Sequence, residues 1–298
     1  MQILDQHHEH FGYIKHRFGK TFYRYIKAKS EKKRTPLILM HGGPGSSHWS
    51  IYSMIGFAKD RDVIFYDQIG SGFSDKLKKS QMKTETFVEE LNALIKSLKL
   101  KKFHLLGHSW GTMLALDYIL KYPKSGTKSI VFSSPCVSAT LWQKDADRLL
   151  TTLPKKVQNT IHRLQKHGRT TSPQYKQAMD VYYRKYVVGA TYKPTKERLV
   201  GSALRGEDVY TTMWGPSEFC ATGKLRTYEN VRFLSKLKIP TLFTCGKMDE
   251  ATPVATKFYA SIVKNSKYHE FKKSAHVPHY TENREYIRII SSFLNQLD

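Results

Sequence analysis

The sequence predicts an α/β fold: a mostly parallel central sheet with helices on both faces and an inserted helical cap. Three observations carry this. Short unbroken apolar runs recur along the chain, helical periods separate them, and one long basic stretch is helical throughout.

The first element is a hairpin. Phe11–Phe18 and Thr21–Lys27 are rich in aromatic residues and flank Gly19-Lys20, which suits antiparallel strands at the leading edge of the sheet. Then come Pro36–Met40, Asp62–Tyr66, Phe103–Leu106 and Ser129–Phe132, and far downstream Pro240–Cys245. Hydrophobicity that runs on without alternating is expected of strands covered on both faces. Between them, Phe87, Leu91, Leu94, Ile95 and Leu98 repeat at helical spacing behind Thr84, a candidate N-cap. A second helix starts near Ser109, carries Leu114, Leu116 and Ile119, and stops before Pro123. From residue 136 to 230 the strand pattern ceases. Leu149–Lys166, Ser172–Val187 and Lys196–Tyr210 read as amphipathic basic helices. Residues 1–135 and 231–298 are therefore expected to form the core and 136–230 the cap. A separate helical domain would deprive the sheet of strands on one side.

Composition narrows the function. The chain has 298 residues, 40% of them hydrophobic, enough for one large core plus an insertion. No apolar run approaches the roughly 18 residues of a membrane span, and the first twenty residues lack the pattern of a signal peptide. Three cysteines, Cys136, Cys220 and Cys245, are far apart in sequence, which suits a reducing cytoplasm. No C-x-x-C or H-E-x-x-H motif announces a metal site, and no cofactor is expected. The net charge of +24 invites thoughts of nucleic acid. The basic residues are scattered, however, and no helix-turn-helix, zinc-finger or aromatic RNA-binding pattern accompanies them. A solvated basic surface on a monomer, adhering to polyanions only in a salt-dependent way, is the expectation.

Chemistry enters at Gly107-His108-Ser109-Trp110-Gly111, a G-x-S-x-G motif between a strand and a helix. In that context the serine sits on a sharp turn, its Oγ raised above the carboxyl ends of the strands. This is the signature of an α/β-hydrolase. A serine hydroxyl needs a base, and the base an orienting carboxylate, in the chain order Ser, acid, His. Asp249 follows the strand ending at Cys245, and His276 follows a strand-like stretch, Tyr268–Lys272. His279, three residues on, is the rival base. His41-Gly42-Gly43-Pro44-Gly45 follows the strand ending at Met40. There the N–H of Gly43, with that of Trp110, is the candidate oxyanion donor, and His41 is expected to brace the loop. Asp67–Ser74 looks like a phosphate loop but lacks its Gly-Lys-Ser/Thr ending, so a structural turn under the site is expected.

Taken together, HGGPG at 41–45, DQIGSGFS at 67–74, GHSWG at 107–111 and GKMDEATP at 246–253 resemble the proline iminopeptidases, the prolyl aminopeptidases among the α/β-hydrolases. The likeness extends into the cap, where Tyr210–Gly223 resembles the family's G-P-N-E-F segment and Leu153–Gly168 and Pro173–Ala178 resemble its cap helices. It is nearest to the monomeric type that trims peptides released by a larger protease. The resemblance implies Ser109, Asp249 and His276 as the triad. It implies Glu218 and Glu250 as the glutamates holding the substrate's terminal amine, with Tyr210 beside them, and short peptides with a free N-terminal proline as substrates. Two positions depart from the pattern: Trp110, where many members have Tyr or Gly, and Ser217, where Asn is usual.

Physical reasoning favours that implication. A terminal proline amine is a cation with two N–H donors and needs acceptors in a partly dry pocket. Two glutamates set back from the serine would fix the distance from amine to scissile carbonyl, and so remove one residue at a time. The alternatives are an esterase, lactonase or amidase on the same triad, for whose substrates paired glutamates have no evident use, and a catalytically silent binding protein.

Overall fold

The computed structural model describes residues 9–32, 34–190 and 192–298. Eight strands form one sheet: β1 (Glu9–His16), β2 (Gly19–Ile26), β3 (Leu37–Met40), β4 (Val63–Tyr66), β5 (Phe103–His108), β6 (Thr127–Ser133), β7 (Thr241–Gly246) and β8 (Ser266–Phe271). Their order across the sheet is β1-β2-β4-β3-β5-β6-β7-β8. β1 and β2 pair antiparallel as a hairpin, β2 meets β4 antiparallel, and the remaining pairings are all parallel.

The unbroken apolar runs are explained by the two cores. Ile38, Met40, Ile64, Tyr66, Leu105, Ile130 and Phe132 face one side, against α1 (Thr84–Ser97), α2 (Trp110–Lys121) and α8 (Pro253–Ile262). Leu37, Leu39, Val63, Phe65, Leu106 and Val131 face the other, against a 3₁₀ segment (His48–Lys59) and α10 (Asn283–Asn295). Side chains alternate between faces with period two, and both faces are dry, so neither can be polar.

Between β6 and β7 lie only helices: α3 (Ala139–Leu150), α4 (Lys155–Lys166), α5 (Pro173–Tyr182), a π-helical turn (Tyr183–Val187), α6 (Lys196–Ala203), α7 (Glu207–Met213) and short 3₁₀ turns. Three details differ from the sequence reading. Lys83, not Thr84, takes the N-cap position of α1, and no side chain caps it. The expected helix over 149–166 is two helices, because the chain turns at 151–154 and Pro154 precedes α4. The expected helix over 196–210 is likewise broken, at Gly206. There the chain crosses two core loops: its N–H donates to the Gly45 carbonyl at 2.7 Å, and a Cβ would lie 2.2 Å from the Gly70 carbonyl. Only glycine fits such a crossing.

Candidate active site

Ser109 is the single residue between β5 and α2, held at φ 56° and ψ −123°. A non-glycine residue there is strained by on the order of 1–3 kcal/mol, and its neighbours explain how the strain is sustained. A Cβ on Gly107 would lie 2.2 Å from the Gly111 carbonyl, and one on Gly111 2.4 Å from the Met40 carbonyl. Strand and helix therefore close on each other without side chains between them. The Ser109 N–H donates to the Ser133 carbonyl at 3.0 Å, tying the turn to the end of β6.

Asp249 lies in the loop after β7 and His276 in the loop after β8. The Asp249 carboxylate accepts from the N–H groups of Gly246 (3.1 Å) and Ala251 (2.8 Å) and from His276 Nδ1–H (2.7 Å). With Nδ1 as the donor, Nε2 is left able to take a proton. The His276 carbonyl is held from below by His108 Nε2–H (2.8 Å) and the Ser134 hydroxyl (3.2 Å). Trp142 of α3 meets the imidazole edge-on at 5.7 Å. No hydrogen bond joins Ser109 Oγ to His276 Nε2 among the described residues; bonds of this kind often tighten only with substrate bound. The rival His279 is buried on α9 (Pro278–Thr281), where Nε2 faces the Ser50 carbonyl at 3.3 Å and the ring packs on His108. Burial pushes its pKa down to about 3, and Asp249 does not touch it.

The glycine loop after β3 places Gly43, at φ 111°, beside Ser109. Among the described residues the N–H groups of Gly43 and Trp110 donate to no other group, so both are available to an oxygen bound between them. His41 braces this loop. Its Nδ1–H donates to the Gly42 carbonyl (3.0 Å) and its Nε2 accepts the Gln68 N–H (3.0 Å), while burial lowers its pKa to about 4 and keeps the ring neutral. The Gln68 side chain then donates to the His41 carbonyl (2.9 Å) and accepts from the Trp110 indole (2.7 Å). Asp67 spends its carboxylate on the N–H groups of His48 and Phe73 and on the His48 ring. The 67–74 segment is thus a turn closed on itself beneath the site.

From the helical segment comes Glu218. Its Oε1 accepts from the Tyr210 hydroxyl (2.9 Å), its N–H donates to Tyr183 Oη (3.2 Å), and its carbonyl accepts from the Trp142 indole (2.8 Å). Glu250, next to Asp249, is 2% exposed, and neither carboxylate oxygen has a partner among the described residues. Its Oε1 lies 3.9 Å from His276 Nε2. Burial, reinforced by the charges of Glu218 and Asp249, drives its pKa well above the usual carboxylate range. A narrow cavity of about 10 Å³ runs between Ser109 and Glu218, lined by Gly43, Ser109, Trp110, Trp142, Trp214 and Glu218, with Met113 and Cys136 on its wall.

Residues 35–283 match the alpha/beta hydrolase fold family. The proline iminopeptidase of Heyndrickxia coagulans is 44% identical over 88% of this chain and 91% of its own. That of Lactobacillus helveticus is 36% identical over the whole of both chains. The chain belongs to the proline iminopeptidase family of α/β-hydrolases. Among solved structures, the proline iminopeptidase of Mycobacterium smegmatis superposes with a TM-score of 0.88 at 29% identity, covering 96% of this chain and 98% of that one.

In this proline iminopeptidase family member Ser217 pairs with Tyr175 Oη (2.9 Å), and its carbonyl accepts from the Trp214 indole (3.1 Å). The segment bearing Glu218 is thereby tied into α5. Sequence reasoning passed over Trp142, Trp214, Tyr182 and Tyr183. Each reads as an ordinary apolar position on a helix or loop. The usable signal was rarity, since three of the four tryptophans line one cavity.

Proposed function

We propose that this chain is a prolyl aminopeptidase, a serine exopeptidase that releases N-terminal proline from peptides through an acyl-enzyme. The observation that carries the reading is Glu250: a buried carboxylate without a partner, beside His276 and under the influence of Glu218, on a protein of net charge +24. A neutral ester gives such a group nothing to bind, whereas a terminal ammonium supplies the missing donors. The family relationship supports the same substrate class.

In this mechanism Ser109 Oγ attacks the carbonyl of the first residue and His276 Nε2 takes its proton. Asp249 holds the ring in the tautomer that makes this possible. The Gly43 and Trp110 N–H groups receive the oxyanion, whose charge appears only as the tetrahedral intermediate forms. His276 then protonates the departing peptide amine, and water releases proline by the reverse sequence. Glu218, oriented by Tyr210, and Glu250 hold the amine one residue from the scissile bond. Residues 136–230 act as the cap that brings Glu218 and Tyr210 over the core. Three free cysteines support a reducing cytoplasm as the site of action, and no helix among the described residues is long and apolar enough to cross a membrane.

The test is a panel of aminoacyl-arylamides with free and acetylated amines, alongside simple esters. Proline-arylamide with a free amine should be the best substrate. Ser109→Ala should lower its turnover by at least about 10⁴-fold while leaving the folded protein intact by circular dichroism. Turnover retained in Ser109→Ala, or esters preferred over the free-amine arylamide, would reject the assignment.

A further inference from the structure

Buried Glu250 and Asp249 share one site with the half-buried Glu218. Asp249 is satisfied by two backbone N–H groups and His276, and Glu218 by Tyr210. Glu250 has nothing. The other titratable groups facing it are Tyr182 on α5, Tyr183 at the following π turn, Cys136 after β6 and His276. The cation on this side, Arg205, is already stacked on Tyr210, 3.8 Å from the ring centre, and paired with Glu207 at 3.3 Å. An unpaired carboxylate buried beside two others takes up a proton in preference to remaining charged.

We propose that Glu250 carries a proton in the substrate-free protein and surrenders it to solvent when a free N-terminal amine docks, so that recognition of the amine releases a proton. The inference deepens the aminopeptidase reading and rests on it. The balance is simple: a carboxylic acid and an ammonium go in, and a carboxylate–ammonium pair and one solvated proton come out. It also accounts for the short distance to the base. An ionised Glu250 with no partner, 3.9 Å from Nε2, would hold a proton on His276 and disable it. A neutral acid before binding and a neutralised ion pair afterwards both leave Nε2 free to accept the Ser109 proton. Glu250 is in this way a positioning and specificity residue: amine recognition and base readiness are the same event.

The experiment uses Ser109→Ala, which binds without turnover, and titrates it calorimetrically with prolylglycine at pH 7 in phosphate and in Tris. A terminal amine is largely cationic there. The expected result is a heat that depends on the buffer and corresponds to release of about one proton per peptide. That release should decline as pH rises through the amine's own pKa. Adding Glu250→Gln to Ser109→Ala should reduce it to nearly none. Binding with no buffer dependence overturns the proposal, as does the same release in the Glu250→Gln background. Because the first comparison needs no Glu250 variant, poor folding of that variant does not shield the idea. If prolylglycine fails to bind, or its N-acetyl form binds as well, the aminopeptidase reading itself falls and this inference goes with it.

Discussion

Ser109 keeps its strained backbone because two glycines leave no room to relax. Gly111 is the more exacting: a methyl there meets the Met40 carbonyl at 2.4 Å and the His41 carbonyl at 3.1 Å, both fixed in or beside a central strand. Gly111→Ala must push α2 away from β3, at a cost on the order of 1–3 kcal/mol or more. The Ser109 turn and the adjacent glycine loop would shift with it. The expected outcome is a lower urea midpoint together with slower fluorophosphonate labelling of Ser109, measured on the fraction that remains folded. Unchanged stability and labelling would mean that the two strand ends tolerate separation. Residues of this kind were legible in the sequence because their chemistry is local: a glycine–serine–glycine turn, an aspartate and a histidine after strands, and a glycine loop can each be recognised from a few neighbours. Choosing His276 over His279 was also possible from distance to the strand end, and burial of His279 against Ser50 and His108 gives the physical reason. Trp142 could not be placed this way, because its edge-on contact with His276 joins positions 134 residues apart in the chain.

At the scale of elements, the sheet was readable and the helical segment only partly so. Strands buried on both faces carry a continuous apolar code, whereas the breaks at Pro154 and Gly206 depend on what lies across the gap. Gly206 is needed because α7 must start against the Gly45 and Gly70 loops, and no helical period records that contact. Its consequence is the position of Tyr210, one turn into α7, whose hydroxyl reaches Glu218 at 2.9 Å. Burial and the nearby Glu218 charge keep this phenol firmly protonated, so it acts as a donor. Tyr210→Phe removes one hydrogen bond to a charged group, a loss of about 1.5–3 kcal/mol if the carboxylate finds no other donor. The effect should fall mainly on KM for free-amine arylamides, raising it roughly 10-fold or more by the same arithmetic, with smaller change in kcat. An equal change for N-acetylated esters would show that Tyr210 supports the cavity as a whole and not the orientation of Glu218.

Over the whole molecule, the buried titratable groups make stability depend on pH from two sides. His41 and His104 have pKa values lowered by burial to about 4 and His279 to about 3, and His108 is also held neutral. The unfolded chain binds protons at these positions below about 6.5, so the stability they contribute is lost as pH falls below that value. Glu90 works in the opposite direction. It projects from α1 into the junction with β2 and the 67–74 turn, where Oε1 accepts from the Thr21 hydroxyl and, at 2.7 Å, from the Ile69 N–H. Its Oε2 is buried without a partner, as is the neighbouring Tyr66 hydroxyl. Burial raises the Glu90 pKa to about 8. The folded state therefore holds that proton more tightly than the unfolded state does. Its contribution is fully present below the unfolded value near 4.5 and disappears as pH rises through 8, at up to about 1.4 kcal/mol per pH unit. The two slopes cross near neutrality, and above it Glu90 and Glu250, both held protonated by burial, lower stability together as pH rises. Glu90→Gln keeps a carbonyl for Thr21 and Ile69, places an uncharged amide against Tyr66, and cannot ionise. In urea unfolding measured from pH 5 to 8.5, the stability of the unaltered protein should fall relative to that of Glu90→Gln by up to about 1.4 kcal/mol per pH unit, the difference levelling off above the folded value of about 8. Parallel curves from pH 5 to 8 would show that Glu90 is already ionised in the folded protein and that the junction of β2, α1 and the turn tolerates its charge.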